Sequence, residues 1–109
     1  MTSEAAPDLT VRIAGRQFKN PLGVASGTFG FGEEYAGLTD MNSIGALFTK
    51  AVTPEPRAGN VPPRLAETPA GMINAIGLAN PGLKMFLREK VPVLQSLPCP
   101  AVVNVAGST

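Results

Sequence analysis

Apolar and polar positions change period several times along the chain, and each change marks an element. Leu9-Thr-Val-Arg-Ile13 alternates, Ala14-Gly15 supplies a two-residue turn, and Arg16-Gln-Phe18 alternates again, which predicts a short β-hairpin. Leu22-Gly-Val-Ala25 is a brief apolar run that empties into Ser26-Gly27, the pattern of a buried strand ending in a loop. Glu33 to Leu38 predicts a helical turn, and Thr39-Asp40 marks a second candidate start. Ala46-Leu-Phe-Thr49 is a second buried strand, ending on Lys50-Ala-Val52. Ala101-Val-Val-Asn-Val105 is a third, followed by Ala106-Gly-Ser-Thr109.

Between the second and third strands, residues 53–70 hold Pro54, Pro56, Pro62, Pro63 and Pro69, which excludes a long helix. A loop of that length in a domain is expected to be functional or disordered. GMINAIGL (71–78) is an apolar stretch bounded by glycine. Pro81 stands where a helix would begin, and Leu83, Phe86, Leu87, Val91 and Leu94 recur near helical spacing. Pro92 lies inside that run and should kink or split the helix. Residues 1–8 read as a disordered lead, leaving 9–109 as one domain.

Continuous apolar strands separated by helical segments point to parallel β/α units with both sheet faces covered. Three such strands close into nothing by themselves, and the chain stops directly after the third. The expected fold class is therefore α/β: the first three β/α units, plus an N-terminal hairpin, of a truncated (β/α)8 barrel. A flavodoxin-like sheet is the structural alternative.

Composition narrows the functional classes. Among 109 residues, 9 basic and 8 acidic side chains with no His leave a net charge of +1. No basic patch points to nucleic acid; Lys84, Arg88 and Lys90 read as the wet face of a helix. A single cysteine, Cys99, excludes an internal disulfide and a cysteine-built zinc site, and no metal site is expected. No apolar run approaches the ~20 residues of a membrane span. Acidic residues in the first eight positions argue against an export signal, so a cytoplasmic protein is expected. The 12 glycines and 11 prolines sit between apolar segments as punctuation, not as low-complexity sequence.

In parallel β/α folds the chemistry gathers at the carboxyl ends of the strands. Three such ends are visible: Ser26-Gly27, Thr49-Lys50-Ala51, and Asn104 with Gly107-Ser108. A lysine ending a buried strand needs an anion nearby. That anion is either a ligand or a structural partner such as Glu55 or Glu67, unless the side chain reaches solvent. Asn74 and Asn80 flank an Ile-Gly-Leu turn and serve either as ligand contacts or as turn caps. Asn104 in the middle of a Val-rich strand reads as a buried amide, which needs partners for both of its ends. Ser26 beside Gly27 taken alone is a small-residue turn. Cys99, between Pro98 and Pro100 at the opposite strand end, reads as a packed residue. No dinucleotide glycine motif, Walker motif, HExxH or Ser-His-Asp arrangement is present.

Three long strings carry a family likeness: ASGTFGFGEEY (25–35), TKAVTPEPRAGNVPPRLAETPAGMINAIGLANPG (49–82) and VVNVAGST (102–109). From about Leu9 to Thr109 the chain resembles the amino-terminal part of class 1 dihydroorotate dehydrogenases. GTFGFGEEY and NAIGLANPG look like the class 1B catalytic subunit. The resemblance implies an FMN enzyme that oxidises (S)-dihydroorotate to orotate in de novo pyrimidine synthesis. It also implies electron transfer to NAD+ through a partner subunit carrying FAD and a [2Fe-2S] cluster, and a homodimer of catalytic subunits within a heterotetramer. By motif position, Ser26, Lys50, Ala51 and Asn104 would touch FMN, while Lys50, Asn74, Ala75, Ile76, Gly77 and Leu78 would hold the substrate. The family's catalytic base, a cysteine in class 1B, would lie beyond Thr109, so no catalytic residue is expected within the chain and the 109 residues alone should be inactive. The competing readings are a fumarate-linked class 1A enzyme, a flavin pyrimidine reductase of the dihydropyrimidine dehydrogenase type, and a non-catalytic fragment.

Overall fold

A computed structural model describes residues 5–108. The first four positions of the expected disordered lead lie outside the described residues, and residues 5–10 carry no regular secondary structure. β1 (Val11–Ile13) and β2 (Arg16–Phe18) form the expected antiparallel hairpin, pairing Val11 with Phe18 and Ile13 with Arg16. Its turn carries positive φ at both Ala14 (49°) and Gly15 (75°), the twist that a two-residue hairpin loop requires.

β3 (Gly23–Val24), β4 (Ala46–Phe48) and β7 (Ala101–Val102) make a parallel three-stranded sheet in the order β3-β4-β7. The third strand is shorter than its Val-rich sequence suggests, although one further bridge, Val52 to Val105, continues the pairing. Glu33–Tyr35 forms a single 3-10 turn, and Thr39-Asp40 starts no helix; Asp40 instead accepts from the backbone of Asn42 and Ser43.

The Pro-rich connection holds more order than its sequence suggests. β5 (Leu65–Thr68) and β6 (Gly71–Asn74) form an antiparallel hairpin, with Leu65 opposite Asn74 and Glu67 opposite Met72. Leu-Ala-Glu-Thr has one β-branched residue, Thr68, too little to mark a strand locally; the pairing supplies what propensity does not.

Residues 83–96 form one helical run in three pieces. α1 (Leu83–Met85) leads into a π-helical turn (Phe86–Lys90), and α2 (Val91–Ser96) follows. Pro92 has no N–H for the carbonyl four residues back, and the chain widens to a five-residue turn just before it, with Val91 donating to the Phe86 carbonyl. The wide turn places Phe86 and Val91 on one face and turns Leu83 and Leu87 outward. The wet-face reading of the basic residues holds for Lys84 and Arg88 but not for Lys90. That ammonium bonds Glu33 and lies 5.7 Å from the centre of the Phe31 ring.

The core lies between this helix and one face of the parallel sheet: Phe31, Met41, Ile44, Leu47, Val52, Phe86, Leu94 and Cys99. Cys99 is buried at the amino end of β7, and burial pushes its thiol pKa up. The opposite sheet face, carrying Phe48 and Val102, is exposed. Among the described residues, then, one sheet face is covered and not two. The radius of gyration, 17.0 Å, shows the same openness, since a compact chain of this length would measure about 13 Å.

Candidate functional site

A cavity of about 690 Å³ opens at the carboxyl ends of the three parallel strands. Its volume falls within the roughly 300–1,000 Å³ typical of small-molecule sites. Ser26 comes from the end of β3, Lys50 and Ala51 from the end of β4, and Asn104 from beyond β7. The β5–β6 hairpin folds over one side and contributes Asn74; the turn after it contributes Ile76 and Leu78.

Hydrogen bonds fix the strand ends to one another. Ser26 donates its hydroxyl to the Thr49 carbonyl (2.7 Å) and accepts from Asn104 Nδ2 (3.0 Å). Asn104 donates its backbone N–H to Thr49 Oγ1 (3.2 Å). Its side chain stands on the open face and is not buried as its strand position suggested. The Lys50 side chain forms no ion pair among the described residues, so neither Glu55 nor Glu67 neutralises it. It is half-buried at the cavity wall, a cation with no protein anion beside it. Unpaired cations in that setting attract anionic ligands.

The turn after β6 is held in an unusual backbone shape. Gly77 (φ 78°) and Leu78 (φ 56°) are both left-handed. A Cβ on Gly77 would sit 2.7 Å from the Asn60 nitrogen, so only glycine allows the two backbones to meet. Asn60 N–H bonds the Ile76 carbonyl (3.0 Å) and Asn60 Nδ2 the Ala75 carbonyl (3.0 Å). Arg64 braces the same loop by donating to the carbonyls of Asn60 (2.6 Å) and Ala58 (3.0 Å). Among the described residues, the backbone N–H groups of Ile76, Gly77 and Leu78 meet no protein acceptor, which leaves a run of donors suited to an anion or a carbonyl.

Of the residues singled out from sequence, the structure gathers Ser26, Lys50, Ala51, Asn74, Ile76, Leu78 and Asn104 on one cavity. Ala75 and Gly77 belong to the same turn but do not line it; Ala75 N–H is already taken by the Arg64 carbonyl (2.8 Å). Asn80 is a turn cap, buried and bonded at both ends of its amide. Leu65, Met72 and Arg64 also line the cavity and had no sequence signal, because the hairpin that carries them was not legible. No group of three His, Cys, Asp or Glu side chains forms a metal cage among the described residues, and no helix is long and apolar enough to cross a membrane.

The surroundings fit a flavin on chemical grounds. A hydroxyl, a carboxamide and an ammonium converge on a cavity with a mostly apolar wall, which suits a flat ring with one polar edge. The fit concerns the ring alone.

Comparisons with known proteins identify the family. Residues 8–109 match the family model described as dihydroorotate dehydrogenase. The chain is 52% identical, over 94% of its length, to the Pelobacter propionicus protein named dihydroorotate dehydrogenase B (NAD(+)), catalytic subunit, and covers 34% of that protein. It is 54% identical, over 93% of its length, to the protein of the same name from Listeria welshimeri, covering 33% of it. Among solved structures it is similar to the dihydroorotate dehydrogenase of Eimeria tenella, crystallised with ferulenol. That similarity has a TM-score of 0.64 at 26% identity, over 96% of this chain and 30% of the other. The chain spans about a third of the length of the curated relatives it matches.

Proposed function

This chain belongs to the dihydroorotate dehydrogenase family, and on that premise we propose that it forms the amino-terminal part of an FMN-dependent (β/α)8 barrel of the B type. That barrel would run to about three times the present length and oxidise (S)-dihydroorotate to orotate. The single observation that supports this most is the convergence of Ser26, Lys50, Ala51 and Asn104, from three separate strand ends, on the cavity that the 74–78 turn overhangs.

In this reading Ser26, Lys50, Ala51 and Asn104 hold the flavin, and Lys50 with Asn74 to Leu78 holds the substrate. Bound FMN would supply the two-electron acceptor. The chain's own residues do the positioning and the electrostatics. The Lys50 ammonium meets negative charge, both on the substrate carboxylate and at the polar edge of the ring, and a fixed cation costs no reorganisation during the reaction. Asn74 offers one donor and one acceptor, matching the amide edges of a dihydropyrimidine. The free N–H groups of residues 76–78 can take a substrate oxygen. Leu65 and Met72 shield the cavity side from water.

In this reading the base for the substrate carbon acid is supplied by a later part of the barrel. The cytoplasm is the compartment that suits a chain of this kind. The catalytic-subunit name of the relatives supports a partner subunit, which we assign as the FAD and iron–sulfur electron carrier to NAD+ within a heterotetramer. The test is to purify the full barrel with and without that partner. FMN copurification, orotate binding and partner-dependent NAD+ reduction support the reading. Fumarate-linked turnover without the partner contradicts the B-type assignment.

A further inference from the structure

The end of β4 contains a break in register. Leu47 pairs with Ala101 and Phe48 with Val102, but the next pair is Val52 with Val105, where an unbroken register would bring Val52 opposite Ala106. One extra residue therefore lies on the β4 side: Thr49 stands opposite Val103, and Lys50 and Ala51 together oppose Asn104. This is a β-bulge.

The hydrogen bonds trace it. Leu47 N–H donates to the Pro100 carbonyl (2.9 Å) and Thr49 N–H to the Val102 carbonyl (3.0 Å). The next rung departs from the ladder: Asn104 N–H goes to Thr49 Oγ1 (3.2 Å), while the Thr49 carbonyl takes the Ser26 hydroxyl (2.7 Å). Lys50 N–H turns away to the Gly30 carbonyl (3.2 Å), and the ladder resumes with Val52 N–H on the Asn104 carbonyl (3.0 Å). Successive strand residues normally point to opposite faces. Lys50 and Ala51 nevertheless line one cavity, because the extra residue re-aims them.

We propose that Thr49 is a positioning residue whose hydroxyl replaces a backbone carbonyl at this bulge and thereby sets where Lys50 and Asn104 reach. The inference rests on the site assignment above. Thr49 is fully buried and touches neither cavity nor solvent. Its hydroxyl is used in both directions, accepting from Asn104 N–H and donating to the Lys50 carbonyl (2.9 Å). Valine matches threonine in shape but removes both bonds, leaving an N–H and a C=O without partners beside the cavity. A backbone so deprived can relax by pulling Asn104 back onto the Thr49 carbonyl, which displaces the Ser26 hydroxyl and rotates Lys50.

The experiment uses the full-length flavoprotein with Thr49→Val and Thr49→Ser, each alone and combined with Lys50→Ala. Orotate affinity is read by calorimetry, and amide hydrogen exchange is read at Asn104. Thr49→Val should weaken orotate about tenfold, the size of one neutral hydrogen bond removed near the site. It should also accelerate exchange at Asn104, and Thr49→Ser should restore both. On a Lys50→Ala background, Thr49→Val should weaken orotate no further, because residues that act through one another are not additive. Wild-type orotate affinity and Asn104 protection in Thr49→Val, or simple additivity with Lys50→Ala, overturns the proposal. If Thr49→Val does not fold, Thr49→Ala is judged by the same outcomes. If Lys50→Ala itself leaves orotate binding unchanged, the site assignment falls instead, and Asn104 exchange still decides the bulge.

Discussion

Asn80 grips Thr53 from 27 residues away. Its Oδ1 accepts Thr53 N–H (3.1 Å) and its Nδ2 donates to Thr53 Oγ1 (3.0 Å), while that hydroxyl spends its single proton on the Glu55 carbonyl (2.6 Å). The remaining capacity of the amide goes to the Leu78 carbonyl (2.7 Å) and Gly82 N–H (2.9 Å). One side chain thus ties the continuation of β4, three residues past Lys50, to the turn that overhangs the cavity. Asn80→Ala orphans several buried groups at once and should lower unfolding stability by about 2–4 kcal/mol. Urea denaturation of the full-length protein checks this, with the exposed Asn74→Ala as comparison; equal losses for the two would refute it.

Lys50→Ala separates function from stability. A charge-assisted hydrogen bond to a ligand is worth roughly 1.5–3 kcal/mol, so removing one costs about ten- to a hundredfold. Flavin reduction by dihydroorotate should slow, and orotate binding weaken, by that order in stopped-flow and equilibrium titration. Thermal stability should hardly change, since no protein carboxylate is left unpaired. A sharp fall in melting temperature with normal flavin reduction would make Lys50 a structural residue.

Gly77→Ala and Gly15→Ala both place a side chain on a left-handed residue, but only the first also collides. Nothing lies within 4 Å of a Cβ at Gly15, so about 1 kcal/mol of backbone strain is expected there. At Gly77 the added carbon meets Asn60, and the cost should rise to about 2–4 kcal/mol, together with weaker orotate binding. Comparable stability and orotate affinity in the two variants would show that the turn tolerates a side chain.

The Lys90–Glu33 pair has a defined pH signature. The hydrogen bond from Lys90 to Glu33 raises the lysine pKa above its ordinary value of 10.5, burial opposing it. A raised lysine pKa contributes stability that is fully present below the unfolded value and disappears as pH climbs through the folded one. Lys90→Met should therefore destabilise at neutral pH, and the gap from wild type should close only above about pH 10.5. Thermal melts from pH 7 to 11.5 test this; a gap that closes below pH 9 would assign the stabilisation to another group.

Much was legible in the chain itself, for local reasons. The Ala14-Gly15 turn, the three parallel strands and the strand-end residues Ser26, Lys50 and Asn104 follow from period and punctuation, which neighbouring residues determine. So does the role of Cys99 as a packed core residue. Long characteristic strings made the family recognisable where no single residue would have. The tertiary structure decided what depends on partners distant in sequence. The β5–β6 hairpin exists because Leu65 and Asn74 meet, not because Leu-Ala-Glu-Thr favours a strand. The π turn before Pro92 sent Leu87 outward against its helical spacing, and Lys90 left the wet face for Glu33. Asn80 became a buried hub while Asn74, four residues before the turn's end, faced the cavity. Lys50 and Ala51 share a wall only because β7 lies alongside and one extra residue must be absorbed against it. Register is a property of two strands together, so a single strand's sequence cannot state it.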